Sequence, residues 1–247
     1  MTKICAEIIG TMILIFLGNG VVANVILSKT KGHNKNGEWI TIAMGWALAV
    51  FMGIIVSSPY SGSHLNPCVT ISFAIVGRFD WNMVPFYIFS QLIGAMLGSI
   101  LVWILYRDYL FETKEEHKIL SVFVTTPSIK NFFSNFLSEV LSTFIFIFVS
   151  LYLTMEGNFF LNGKSHPIGL GSLGALIPSL VVLGIILSLG GNTGSAINPA
   201  RDIGPRIIHS ILPIPGKGKS NWDYAFIPVL GPIFGSVMAS VLYLFLS

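Results

Sequence analysis

Long, almost uncharged apolar runs alternate along the chain with short connections rich in charge, glycine and proline. A membrane-spanning helix needs about 20 mostly apolar residues. Six runs meet that requirement: residues 4–27, 40–58, 84–106, 132–155, 171–189 and 224–246. Four contain no charge, and the first and fourth carry one glutamate each, Glu7 and Glu139. Two shorter apolar stretches, 65–76 and 197–208, would extend only about 18 Å as helix in a hydrocarbon core of about 30 Å, so they are either re-entrant or interfacial. The first run follows a single Lys3. It is too long for a signal peptide and ends in no small-residue cleavage pattern, which predicts a first span. "SKTKGHNKNGE", "RDYLFETKEEHK" and "PIPGKGKSN" are predicted as connections.

An internal repeat organises these segments. "AEIIGTMILIF" (6–16) matches "SEVLSTFIFIF" (138–148), placing Glu7 over Glu139 at an offset of 132. "GSHLNPCV" (62–69) matches "GSAINPAR" (194–201) at the same offset of 132, with Asn66 over Asn198. "GAMLGS" (94–99) resembles "GPIFGS" (231–236) at an offset of 137, so the second half has gained about five residues. The chain reads as one domain, 1–247, with repeat 1 at about 1–112 and repeat 2 at about 131–247. Three spans per copy make the second copy enter the membrane from the opposite side, an arrangement that builds transporters and channels. The expected fold is an all-α membrane protein with six transmembrane helices, two re-entrant half-helices and an inverted internal repeat.

Composition agrees. Apolar residues make up 53% and charged residues 10%, against about a quarter charged in soluble domains. A formal charge of +3 with no basic stripe gives no case for nucleic acid. Cys5 and Cys68 lie far apart in apolar segments, and the five histidines are scattered without ligand spacing. No metal, cofactor or catalytic constellation is expected, which counts against an intramembrane enzyme.

Asn is a strong N-cap and Pro is favoured at the first helical position. Asn66-Pro67 and Asn198-Pro199 therefore open two short helices whose N-termini can meet near the midplane. Each end carries roughly +0.5 charge, which repels cations and protons. The Asn amides offer donors to a neutral guest, and the backbone of "SGSHL" and "TGSAI" can supply acceptors. Such irregular backbone is tolerated only where it is buried in protein or lines a wet cavity. Glu7 and Glu139 suit either a proton path or, from their symmetric placement, braces accepting unpaired backbone N–H groups. Arg201 lies three residues after Asn198, on the same helix face. Asp202 stands four residues before Arg206, the favourable order for an ion pair, and in the first turn of its helix. Val69, the counterpart of Arg201 in the first copy, is uncharged, so one constriction at one end is expected.

The pair "NPC" and "NPA" (Asn66, Pro67, Cys68; Asn198, Pro199, Ala200) with "GNTGSAINPARDIGP" resembles the major intrinsic protein family, the aquaporins and aquaglyceroporins. The resemblance implies one pore per subunit, a homotetramer in a lipid bilayer, partners limited to water, glycerol and similar small neutral solutes, and a plasma-membrane location. It places a selectivity filter at Trp46, Ile186, Ser195 and Arg201, a vestibule at His64 and Gly194, and structural support at Glu7, Glu139, Asp202 and Arg206. Trp46, Asp202, Arg206 and Pro228-Val229 are similar to the glycerol-conducting branch. Ile186 and Ser195 depart from the glycine and phenylalanine usual there, and the set resembles some nodulin-like plant members. The expected function is a passive channel for water and small uncharged solutes such as glycerol that excludes protons and ions. A water-selective channel and an ion-coupled secondary transporter are the alternatives. Cys68 stands where alanine is usual, either as a small core hydrophobe or as a pore-adjacent thiol open to mercurials. The resemblance also puts both termini in the cytoplasm. The basic residues disagree, with nine in outward loops against Lys3, Arg78 and Lys164 inside.

Overall fold

A computed structural model describes residues 1–153, 156–161, 164–169 and 171–247. Six helices among these residues are long and apolar enough to cross a membrane. They are α1 (Lys3–Ile26), α2 (Glu38–Ser61), α4 (Val84–Glu112), α6 (Phe132–Tyr152), α7 (Leu176–Leu189, preceded by a 3-10 turn at Gly171–Ala175) and α9 (Ile227–Leu246). The half-length segments are α3 (Pro67–Ile75) and α8 (Pro199–Ile211). Residues 154 and 155, the expected end of the fourth span, lie outside the described residues.

Glycine sets which spans touch. A Cβ on Gly94 of α4 would lie 2.9 Å from Thr11 Cβ, and one on Gly98 would lie 2.9 Å from Ile15 Cβ. Rising numbers on both helices mean that α1 and α4 run in the same direction. Gly231 and Gly235 repeat the device between α9 and α6, meeting Glu139 Cβ at 2.8 Å and Phe144 N at 3.0 Å. Close backbone approach through small residues is how apolar helices associate in lipid, where no hydrophobic drive exists between them. By contrast α1 and α2 are antiparallel, with Gly10 against Ser57 and Gly18 under the Trp46 ring. Large apolar side chains such as Phe89, Ile104, Leu141 and Phe234 remain on the outside, as a lipid-facing surface requires.

Three features differ from the hydropathy reading. Helix α4 runs past Tyr106, where the backbone kinks to φ −105° and ψ 15°, and continues to Glu112. Buried Leu110 and the Arg107 guanidinium, 5.3 Å from the Phe111 ring, hold that last part. "KEEHK" does not simply loop, because α5 (Glu116–Phe123) buries Ile119, Leu120, Val122 and Phe123 against Ala23, Leu27 and Ile208. Its charged face hid it from a span search. Between α6 and α7 a two-stranded antiparallel ribbon, β1 (Glu156–Leu161) and β2 (Lys164–Gly169), pairs Glu156 with Gly169 and Leu161 with Lys164.

Gly98→Leu is expected to force α1 and α4 apart and to cost about 1–3 kcal/mol from overpacking alone. A clear fall in the detergent melting temperature checks this, and an unchanged melting temperature would contradict the close α1–α4 contact.

Candidate functional site

Both Asn-Pro pairs cap their helices in the same manner. Asn66 is extended (φ −156°, ψ 124°) and its Oδ1 accepts from Cys68 N at 2.8 Å. Asn198 Oδ1 accepts from Ala200 N at 3.0 Å and Arg201 N at 3.3 Å. Pro67 and Pro199 each occupy the first helical position, where no backbone donor is missed.

The backbone before each cap is strained in matching places. Gly62, Ser63 and Leu65 have φ of 80°, 54° and 52°, and Gly194, Ser195 and Ile197 have 86°, 45° and 44°. The left-handed region costs a non-glycine residue roughly 1–2 kcal/mol. The two buried glutamates compensate. Glu7 accepts from His64 N (3.0 Å), Leu65 N (2.8 Å), Ser61 Oγ (2.7 Å) and Gln91 Nε2 (2.8 Å). Glu139 accepts from Ala196 N (3.0 Å), Ile197 N (3.1 Å) and Thr193 Oγ1 (2.5 Å). Pro228 replaces the Gln91 donor in the second copy, so Glu139 has one partner fewer.

The two copies also bond to each other. Asn66 Nδ2 donates to Ile197 O, and Asn198 Nδ2 donates to Leu65 O, each at 2.9 Å. One amide hydrogen of each Asn is thereby used, and the other has no protein acceptor among the described residues. Sequence reasoning missed these crossed bonds, since no local pattern marks a carbonyl as the partner of a side chain over 130 residues away.

A cavity of about 710 Å³ passes this junction. It extends from Arg78, Ser150 and Leu153 past Asn66 and Asn198 to Trp46, Ile186, Ser195 and Arg201. Val50, Ile54, Val69, Phe73, Phe146 and Val182 supply apolar wall. Gly62–Asn66 and Gly194–Asn198 supply the polar side. Among the described residues no group donates to the carbonyls of Gly62, Ser63, His64, Gly194, Ser195 or Ala196. The cavity thus has a hydrogen-bonding side and a greasy side.

At one end the Arg201 guanidinium carbon lies 4.4 Å from the Trp46 ring centroid. Arg201 is only 7% exposed, yet among the described residues its Nη1 has no partner, and the buried Ser195 Oγ has none either. Buried polar groups are nearly always hydrogen-bonded, so these two atoms are free for whatever occupies the cavity. Asp202 turns away to bind Arg206, with Oδ1 accepting from Nε at 2.8 Å and from Nη2 at 2.6 Å. Both side chains are fully buried.

Other residues take quieter places. Gly194 lies on the cavity wall, as does His64, whose Nδ1 meets Thr70 Oγ1 at 3.1 Å and whose ring packs among Phe73, Phe79 and Tyr87. Pro67, Pro199 and Ala200 are buried in packing. Cys68 is fully buried in the core and is not part of the cavity wall. Arg78 was not anticipated: it sits at the mouth opposite Arg201 and donates to Leu151 O at 2.9 Å and Tyr243 Oη at 2.5 Å. Its position directly after the glycine that ends α3 (Gly77, φ 75°) was the available signal.

Six spanning helices that enclose such a cavity between two facing half-helices define a membrane channel. The family model described as Major intrinsic protein matches residues 1–243, and the chain belongs to that family. It is accordingly a multi-pass membrane channel and not an enzyme. A probable glycerol uptake facilitator protein of Thermotoga maritima is 45% identical over 243 residues, covering 98% of each chain. The glycerol uptake facilitator protein of Streptococcus pneumoniae is 47% identical over 247 residues, again covering 98% of each. The X-ray structure of the aquaglyceroporin from Plasmodium falciparum superimposes with a TM-score of 0.80 at 32% identity, covering 98% of this chain and 94% of that one.

Because the Cys68 thiol is away from the cavity, a mercurial is expected to leave water flux through the reconstituted protein unchanged. Inhibition that Cys68→Ala abolishes would contradict this placement.

Proposed function

We propose that the protein conducts glycerol and water passively through one pore per subunit and excludes protons and ions. The two-sided cavity carries this reading. A polyol has hydroxyls along one edge and carbon along the other. It can exchange hydrogen bonds with six free carbonyls and the spare amide hydrogens of Asn66 and Asn198, while its carbon edge slides along Val50, Ile54, Val69 and Phe146. Glycerol is the solute in the names of its relatives in Thermotoga maritima and Streptococcus pneumoniae, which supports the same choice.

In this proposal Trp46, Ile186, Ser195 and Arg201 form the selectivity filter. Arg201 offers donors to a passing hydroxyl, and its fixed charge repels cations. The N-termini of α3 and α8, each with roughly half a positive charge, repeat that barrier at the junction. Glu7 and Glu139 act as braces here rather than as a proton path, since their oxygens are occupied by donors that hold the strained loops. The termini face the cytoplasm, the protein sits in the plasma membrane, and subunits assemble as tetramers. The close stack of Arg201 on Trp46 and the bulk of Ile186 favour a second reading, a pore selective for water.

Swelling of proteoliposomes in water, glycerol and urea gradients separates the two. Both water and glycerol fluxes are expected above those of protein-free vesicles. Fast water flux with glycerol at background would leave only the water-selective pore. Ile186→Gly with Ser195→Phe, which restores an apolar ring and removes bulk, is expected to raise glycerol flux relative to water several-fold. An unchanged ratio would place the filter elsewhere.

A further inference from the structure

The segment joining α5 to α6 is fastened to the backbone that leads into α8. Thr125 N and Thr125 Oγ1 both donate to Asp202 Oδ2, at 3.0 and 2.8 Å. Three residues on, Ser128 N donates to Asn192 O and Ser128 Oγ donates to Gly191 O, each at 3.0 Å. The Thr125 methyl lies 3.4 Å from the point a Cβ on Gly194 would occupy. Thr125 therefore stands between Gly194, the neighbour of Ser195, and the side chain of Asp202, the neighbour of Arg201.

Asp202 is the hub of this clamp. Its second oxygen holds Arg206, whose Nη1 donates to Ser220 O at 2.7 Å and Asn221 O at 2.8 Å. The α5–α6 segment thus reaches this buried carboxylate directly through Thr125, and the Ser220–Asn221 loop reaches it through Arg206. Arg201 has no comparable anchor, because its guanidinium makes no hydrogen bond to the described protein and rests on Trp46. Where the guanidinium sits is then decided by its own backbone, which Asp202 fixes one residue away. The first copy has nothing equivalent. Thr70 stands in place of Asp202 and is held from inside the bundle by His64 and Gln91.

We propose that Thr125 is a positioning residue for the Arg201 constriction, setting its aperture through Asp202 and thereby the size of polyol that passes. The proposal rests on the pore reading above. Losing the Thr125 hydroxyl leaves a buried carboxylate oxygen with one donor instead of two, and hydrogen bonds to charged groups are the strong ones. Asp202 then has freedom to shift, and Arg201 shifts with it. A looser aperture favours erythritol most, because its additional CHOH unit makes it the bulkier of the two solutes at the constriction.

The test compares glycerol and erythritol flux in proteoliposomes holding equal amounts of wild type, Thr125→Val and Thr125→Ser. Thr125→Val keeps the shape and the methyl against Gly194 but loses the donor, whereas Thr125→Ser keeps the donor. Thr125→Val is expected to raise the erythritol-to-glycerol ratio by about threefold, a modest change on the barrier scale, while Thr125→Ser stays near wild type. A wild-type ratio in folded Thr125→Val, or the same shift in Thr125→Ser, would overturn the proposal. If Thr125→Val does not fold, Thr125→Ala, which also lacks a side-chain donor, replaces it with the same expected and overturning results. Wild type conducting neither solute nor water would instead overturn the pore reading itself.

Discussion

Two crossed hydrogen bonds, Asn66 to the Ile197 carbonyl and Asn198 to the Leu65 carbonyl, join the halves of the protein at the point where each chain turns back. Everything around the pore is arranged to let those bonds form. Each acceptor carbonyl belongs to a residue in the left-handed region, at φ 52° for Leu65 and 44° for Ile197. Leucine and β-branched isoleucine do not hold that conformation unaided. The glutamates supply the aid, each bonding the N–H of the very residue whose carbonyl the opposite Asn takes. Brace, strain and cross-bond form one unit, built twice. Its by-product is a run of free carbonyls beside two amides that each keep one hydrogen unspent.

The two copies share a frame but differ in how they use it. Glu7 is held within the bundle by Gln91 and Ser61. In the second copy Pro228 removes that donor from Glu139, and loop contacts through Thr125, Ser220 and Asn221 converge instead on the Asp202–Arg206 pair. A buried ion pair is a weak source of stability, because desolvation offsets much of the attraction. Asp202–Arg206 makes better sense as a geometric fixture: its carbonyl and hydroxyl partners leave little charge uncompensated, and it ties two loops to the helix turn next to Arg201. The first copy, with Val69 where Arg201 stands and Thr70 where Asp202 stands, needs no such fixture.

Much of this was legible in the sequence because it is encoded by period and punctuation. Run length gave the six spans, and half-length runs after Asn-Pro gave α3 and α8. Matched offsets paired Glu7 with Glu139. Elements set by tertiary contact were not legible. Helix α4 outlasts its apolar run because Leu110 is buried and Arg107 stacks on Phe111. Helix α5 is too short and too charged on one face to register as a span. The crossed Asn bonds and the Thr125 clamp join residues far apart in the chain, and only the fold brings them together. The cytoplasmic placement of the termini proposed above runs against the usual bias of basic residues toward the inside, and the packing on which the architecture rests does not depend on it.

The central claim is that facing half-helix ends and neutral amide donors pass uncharged solutes while rejecting protons. Proton flux under an imposed pH gradient, recorded in the same proteoliposomes that conduct water and glycerol, tests it most directly. The account predicts solute flux that rises with protein content while proton flux stays at the level of protein-free vesicles. Proton flux that rises in proportion to the protein would contradict it.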